Sequence, residues 1–152
     1  MANMKLTPTW FIISDTHFGH EKILDFGDRP AHHEEIMVKN WNSVVSKNDY
    51  VLHLGDLHLT SFTKANEYCS KLNGHKFLII GNHDTHSNAH YERLGFTIVD
   101  PIYKVFKNSK GYFPTLFTHE PIETLPDTWH NIHGHIHNGS HRDYPLTDRH
   151  VN

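Results

Sequence analysis

The sequence predicts an α/β fold, with a largely parallel sheet in its first half and more antiparallel pairing in its second. Two observations carry this. Up to Ile80, short aromatic and β-branched runs alternate with stretches of helical period, the rhythm of a parallel sheet covered on both faces. After Leu94 the apolar runs follow one another closely, and Ser109-Lys110-Gly111 reads as a hairpin turn between two of them.

Thr9-Trp10-Phe11-Ile12-Ile13-Ser14 is aromatic and β-branched and predicts a buried strand. From His33 to Val45 the apolar residues Ile36, Met37, Trp41, Val44 and Val45 recur at three-to-four spacing, which predicts an amphipathic helix. Tyr50–Leu54 is a second strand. Phe62, Ala65, Cys69 and Leu72 form the stripe of a second helix, with Ser61 or Thr60 as N-cap and Asn73-Gly74 as its stop. Lys76–Ile80 is a third strand. A short helix around His90–Leu94 and strands at Phe96–Val99, Ile102–Phe106, Tyr112–Thr118 and Asn131–His133 complete the reading, with half a strand or a frayed tail at the end. No repeat, linker or low-complexity stretch divides residues 1–152, so one domain without a cap is expected.

Composition narrows the function. The chain has 152 residues, of which 37% are hydrophobic, and 17 are His. The longest apolar run, Trp10–Ile13, is far too short for a membrane span, and no secretory signal pattern is present. A single Cys69 excludes a disulfide framework and a cysteine-rich zinc site, and its place on a helical stripe reads as core. The formal charge of −3 and the lack of a basic run disfavour long duplex nucleic acid as a partner.

Five of the strands end in polar groups suited to metal binding. They run into Asp15-Thr16-His17, Gly55-Asp56, Gly81-Asn82-His83-Asp84, His119, and Gly134-His135-Ile136-His137. Ligands of α/β sheets bind outside the carboxyl ends of the strands. Strands lying side by side would therefore gather Asp15, His17, Asp56, Asn82, His119, His135 and His137 on one rim. Seven N/O donors exceed one tetrahedral ion and suit a pair sharing a carboxylate. In a chain with 17 His, an isolated pair is weak evidence. The joint pattern is not, because every block follows an apolar strand and three carry a Gly where a backbone must approach closely.

In these blocks and their order the sequence resembles the calcineurin-like metallophosphoesterases, over roughly Trp10 to His137. The resemblance implies a four-layer αββα sandwich with two mixed β-sheets and the metal site at the C-terminal ends of strands. It also implies that Asp15, His17, Asp56 and His137 hold one ion and Asp56, Asn82, His119 and His135 the other. The reaction would be attack on a phosphate ester by a hydroxide held between the ions, with His83 as general acid and Asp84 orienting its ring. Imidazole and carboxylate donors suit Mn, Fe, Co, Ni or Zn, with Mn the first expectation.

The second block, Gly55-Asp56-Leu57-His58-Leu59-Thr60, lacks the Arg of the G-D-x-x-D-R-G pattern in the family's protein Ser/Thr phosphatases. Asp-Thr-His-Phe-Gly-His near the start resembles instead a small bacterial and phage group of predicted phosphoesterases, which implies a cytoplasmic setting in a bacterial or phage-infected cell. His20 and Arg29-Pro30 match that group, and either side chain would contact substrate, as would Asn82. Arg29 has two readings, a fork on a phosphoryl oxygen and a solvated loop charge. His58 reads as support for Asp56, and His53 and His133 as packed. His86 and His90 stand near enough to line the cleft. His32, His33, His75, His130, His141 and His150 read as exposed. The expected substrate is small, phosphorylated and nucleotide-like, hydrolysed as a phosphodiester. Thr85–Tyr91 and Pro121–Trp129 would be its walls, with Tyr91 or Trp129 able to stack on a base. The alternatives are a phosphomonoesterase, a nuclease on short ends, and a scaffold without turnover.

Overall fold

The computed structural model describes residues 6–22, 29–137 and 145–152. Strands β1 (Phe11–Ile13), β2 (Tyr50–His53), β3 (His75–Leu78) and β4 (Phe96–Ile98) form one sheet in that order. Strands β5 (Ile102–Asn108), β6 (Gly111–Phe117), β7 (His130–Ile132) and β8 (His150–Val151) form the other. The first sheet is wholly parallel. The second is mixed, with β5 and β6 antiparallel and β7 and β8 parallel to their neighbours.

Alternation along the strands makes two cores. Val51, Leu78 and Phe96 point to the helices α1 (His33–Val44), α2 (Phe62–Cys69) and α3 (Asn88–Arg93), and pack with Trp41, Ala65, Cys69 and Tyr91. Leu52, Leu54 and Ile79 point the other way and meet Ile102, Phe106, Phe117 and Ile132 of the second sheet. The first sheet is therefore covered on both faces, as a parallel sheet requires. Ser61 caps α2 by accepting the Lys64 N–H, and Gly74 ends the following turn at φ 92°.

Several local expectations change. Helix α1 buries His33 and Trp41 and rests Met37 and Val38 on the core, while Ile36 and Val44 stay 43% and 63% exposed. Strand β1 is an edge strand with Ile12 37% exposed, because only one neighbour pairs with it. The second sheet has no helix against its outer face among the described residues. There Tyr103, Val105 and Tyr112 are 50%, 41% and 67% exposed. The connection across residues 118–129 forms no helix; Pro121 and Pro126 interrupt it. The chain end is a real strand, short but paired with β7. Among the described residues no helix is long and apolar enough to cross a membrane.

Register brings the functional blocks to one level. Ile13 pairs with His53, and His53 with Leu78, so the chains after all three strands leave the sheet at the same rim. In the second sheet Phe117 pairs with Ile132, which sets His119 beside Gly134; the Gly134 N–H donates to the His119 carbonyl at 2.9 Å.

Candidate metal centre

The rim loops are held in unusual backbone conformations. Of the seven non-glycine residues described with φ between 49° and 72°, five are Asp15, His17, Asp56, His135 and His137. Left-handed backbone costs such residues about 1–3 kcal/mol each and persists where surrounding contacts over-determine it. The outcome is that five of the seven side chains singled out from sequence turn into one space.

The donor atoms fall into two groups that share one oxygen. Asp15 Oδ1 lies 3.8 Å from His17 Nε2 and 3.4 Å from His137 Nε2, and the two imidazole nitrogens are 3.2 Å apart. On the other side Asn82 Oδ1 lies 2.7 Å from His119 Nε2 and 2.9 Å from His135 Nδ1. Asp56 Oδ2 stands between them, 3.7 Å from His17 Nε2 and 3.5 Å from His119 Nε2. Asp15, His17 and His137 form one close cluster, and Asp15, Asp56 and His119 another.

These residues fit divalent cations. Asp15 Oδ1 is a buried carboxylate oxygen with no hydrogen-bond partner, a costly arrangement unless a cation faces it. Its second oxygen accepts the His135 N–H at 3.0 Å. Burial pushes His17 down to about 3 against the opposing pull of Asp15, so its ring is neutral at neutral pH and offers a lone pair. His119 Nδ1 donates to the Leu54 carbonyl at 2.7 Å, which fixes the ring with Nε2 aimed at the rim.

Two glycines let the loops close on one another. A Cβ on Gly55, itself at φ 102°, would lie 2.5 Å from His119 Nδ1 and 2.7 Å from the Gly81 Cα. One on Gly81 would run into the Asp56 carboxylate and lie 2.5 Å from the Asp56 nitrogen. The close backbone approach expected of these glycines is therefore a property of the rim.

Asp84 is placed differently from expectation. Its carboxylate does not orient His83. It is buried and accepts three backbone N–H groups, from Asp56 at 2.7 Å, Gly81 at 2.9 Å and Leu57 at 3.0 Å. Burial pushes its carboxyl up while those three donors oppose the shift. His83 has an exposed ring whose centroid is 5.6 Å from that of His17, and its backbone N–H donates to Asp56 Oδ1 at 2.9 Å.

Arg29 is not a solvated charge. Nη1 donates to the Thr16 carbonyl and Nη2 to the Asp15 carbonyl, both at 2.7 Å. Its fork holds the loop that presents Asp15. The His20 ring packs 5.7 Å from that of His17, and burial lowers its pKa, with His83 and Arg29 adding to the effect.

Other residues depart from the reading. Tyr91 is fully buried and cannot stack on a ligand. Trp129 stacks on Tyr103, an exposed residue of β5, at 4.7 Å. His33 is buried, and His150 Nε2 donates to the Ile122 carbonyl at 2.9 Å. His141 lies outside the described residues. His53 and His133 are packed as expected. A cleft of about 600 Å³ adjoins Asn82 and His119, walled by Ile80, Asn88, Ile98, Val99, Pro101 and Ile122. Asn88 and Ile122 come from or border the two loops named from sequence. The sequence does not single out the Ile98–Pro101 wall, because Ile98 and Val99 read as the end of a strand and Asp100-Pro101 as a connection.

The chain is similar to known proteins in sequence and in fold. The model of the calcineurin-like phosphoesterases matches residues 9–151. An uncharacterized protein of Methanocaldococcus jannaschii is 36% identical over 143 residues, covering 90% of this chain and 73% of its own. The Gene 66 protein of Mycobacterium phage L5 is 40% identical over 86 residues, 52% of this chain and 41% of that protein. Among solved structures, a protein of unknown function from Aquifex aeolicus superposes with a TM-score of 0.63 at 24% identity, covering 90% of this chain and 82% of that one. The Pseudomonas putida nuclease MPE does so at 0.56 and 19% identity, covering 85% and 62%. Both structures share the fold. A family match across nearly the whole chain, together with donor atoms gathered where that family's fold presents them, leads to one conclusion: the chain belongs to the calcineurin-like phosphoesterases, metal-dependent hydrolases of phosphate esters.

Proposed function

We propose that this enzyme is a dinuclear phosphodiesterase acting on a small, nucleotide-like substrate. The observation that supports it best is Asp56 Oδ2, within 3.7 Å of His17 Nε2 and 3.5 Å of His119 Nε2. One carboxylate oxygen facing two donor groups suits a bridging ligand. Asp15, His17, Asp56 and His137 would hold one ion, and Asp56, Asn82, His119 and His135 the other. Mn is the first choice, with Fe, Co, Ni and Zn compatible with the same N/O set. When bound, such ions polarise the phosphoryl group and lower the pKa of a water between them.

The chain's own residues do the rest. His83, exposed beside the rim and fixed through its backbone to Asp56, gives a proton to the leaving oxygen. Asp84 acts by holding the Asp56 and Gly81 turns together. Arg29 acts by fixing the Asp15 loop, and His20 and Asn82 face the substrate. The cleft next to Asn82 combines apolar wall residues such as Ile98, Val99 and Ile122 with the polar side chains of Asn88, Asp100 and Glu120. Its volume is within the usual range for small ligands, which suits a substrate with both an apolar face and hydrogen-bonding groups, as a nucleotide base has. The charge of −3 speaks against long duplex nucleic acid, and the reading places the enzyme in the cytoplasm of a bacterial host.

The test is the hydrolysis rate of the Mn-loaded protein on bis(p-nitrophenyl) phosphate beside p-nitrophenyl phosphate. Faster diester cleavage is expected. Faster monoester cleavage makes the enzyme a phosphatase, and no cleavage of either with both ions bound turns the reading toward a scaffold.

A further inference from the structure

We propose that His58, His86 and His90 form a separate metal site, for one Zn²⁺, Ni²⁺ or Co²⁺, that ties the Asp56 loop to helix α3. One ring nitrogen of each lies within 4.8 Å of those of the other two. His58 Nε2 and His90 Nε2 are 2.9 Å apart. The rings are gathered tightly, with centroids 4.1 Å apart for His86 and His90, 5.0 Å for His58 and His90, and 5.5 Å for His58 and His86. None of the three belongs to the two donor groups around Asp56.

The chemistry favours a cation. Neutral imidazoles facing each other can share one proton per contact, and the remaining lone pairs repel. No carboxylate joins the cluster, so protonation of the rings gains no nearby counter-charge, and the cationic Arg93 stands beside Phe62, which packs edge-on to His90. One divalent ion accepts all three lone pairs at once. Zn–N bonds of about 2.0–2.1 Å in a tetrahedron need nitrogens roughly 3.3 Å apart, a small adjustment from this arrangement. The contact that must yield is the Thr60 N–H on His58 Nδ1, which at 3.4 Å is at the weak end of hydrogen bonding. Three imidazoles with no hard oxygen ligand select zinc, nickel or cobalt over magnesium, calcium or manganese.

The location gives the site its role. His58 is buried and lies two residues after Asp56, whereas His86 precedes α3 and His90 is part of it. An ion here would cross-link the Asp56 loop to the segment that runs from His86 into α3, beside the tie that Asp84 makes between Asp56 and Gly81. The three rings would supply three of four tetrahedral positions and leave the fourth to water.

The experiment uses the full chain, stripped with a chelator and dialysed against Zn²⁺ alone, with metal content measured by atomic emission. His86→Ala and His90→Ala are compared with the unaltered protein. His86 is exposed, so its removal takes away the ring stacked on His90 without opening a core cavity, and circular dichroism checks the fold. Each variant should hold one equivalent less than the unaltered protein, and the Co²⁺-loaded protein should lose one tetrahedral set of visible bands in both. Equal metal content and equal Co²⁺ spectra in all three proteins would overturn the site. So would loss of more than one equivalent, which would make these rings supports of the Asp56 centre.

Discussion

The Asp84 carboxylate accepts the backbone N–H of Asp56 at 2.7 Å, and with Gly81 and Leu57 as further donors it clamps two rim loops from beneath. Asp84→Ala would leave three buried N–H groups unpaired, at about 1–3 kcal/mol each. Urea denaturation should show a loss of about 3 kcal/mol or more. Asp84→Asn, which keeps one acceptor oxygen, should lose less stability and weaken metal binding roughly 10–100-fold, measured by metal titration.

His83 separates proton donation from metal binding, because its ring is exposed and only its backbone contacts Asp56. His83→Ala should keep full metal content and slow turnover roughly 10²–10⁴-fold on an ester with a poor leaving group. On a nitrophenyl ester, whose leaving group needs no proton, the loss should be small. Equal losses on both esters would remove His83 from the acid role.

Arg29 makes two charge-assisted bonds to the carbonyls of Asp15 and Thr16. Arg29→Ala should raise the metal concentration needed for half-maximal activity and lower kcat with little change in KM. A rise in KM alone, with metal binding unchanged, would assign the guanidinium to the substrate instead.

A Cβ at Gly81 meets the Asp56 carboxylate and backbone, and the His119 ring at 2.9 Å. These neighbours cannot move without moving the donor atoms. Gly81→Ala should therefore abolish metal-dependent hydrolysis while the far-ultraviolet dichroism stays near that of the unaltered protein. Activity within tenfold, about 1.4 kcal/mol by the usual conversion, would mean that the rim is looser than its contacts imply.

His53 sets an acid limit on stability. Its Nδ1 accepts the Gly55 N–H at 3.2 Å, and its Nε2–H donates to Thr16 Oγ1 at 3.0 Å, which in turn donates to the Leu57 carbonyl. This network needs the neutral ring, and burial holds His53 down to about 3. The unfolded chain takes up a proton near the ordinary value of 6.5 and the folded one does not. The stability from this group is therefore complete above about 6.5 and falls with pH below it, by up to about 1.4 kcal/mol per unit, until about 3. Melting temperature measured from neutral to acid pH should fall over this range. His53→Gln should lower the plateau and flatten the slope.

The order of the five blocks, each directly after an apolar strand, was enough to place Asp15, Asp56, Asn82, His119 and the two histidines of Gly134–His137 on one rim. Strand ends are set by local apolar runs and by the glycines that follow, and those are written in the chain. What the tertiary structure decided was where side chains point once the loops have met. His17 and His137 face one another across 120 positions, through left-handed backbone that no local pattern announces. Arg29 reaches two carbonyls, and Asp84 reaches three amides instead of His83, because hydrogen-bond partners are chosen by what the folded loops leave unpaired. In sequence His58 reads as support for Asp56, and His86 and His90 as residues near the cleft, with nothing to join the three. Only the packing of α3 beside the Asp56 loop brought their nitrogens together, since long-range distance depends on register and helix placement and spacing along the sequence carries no record of either.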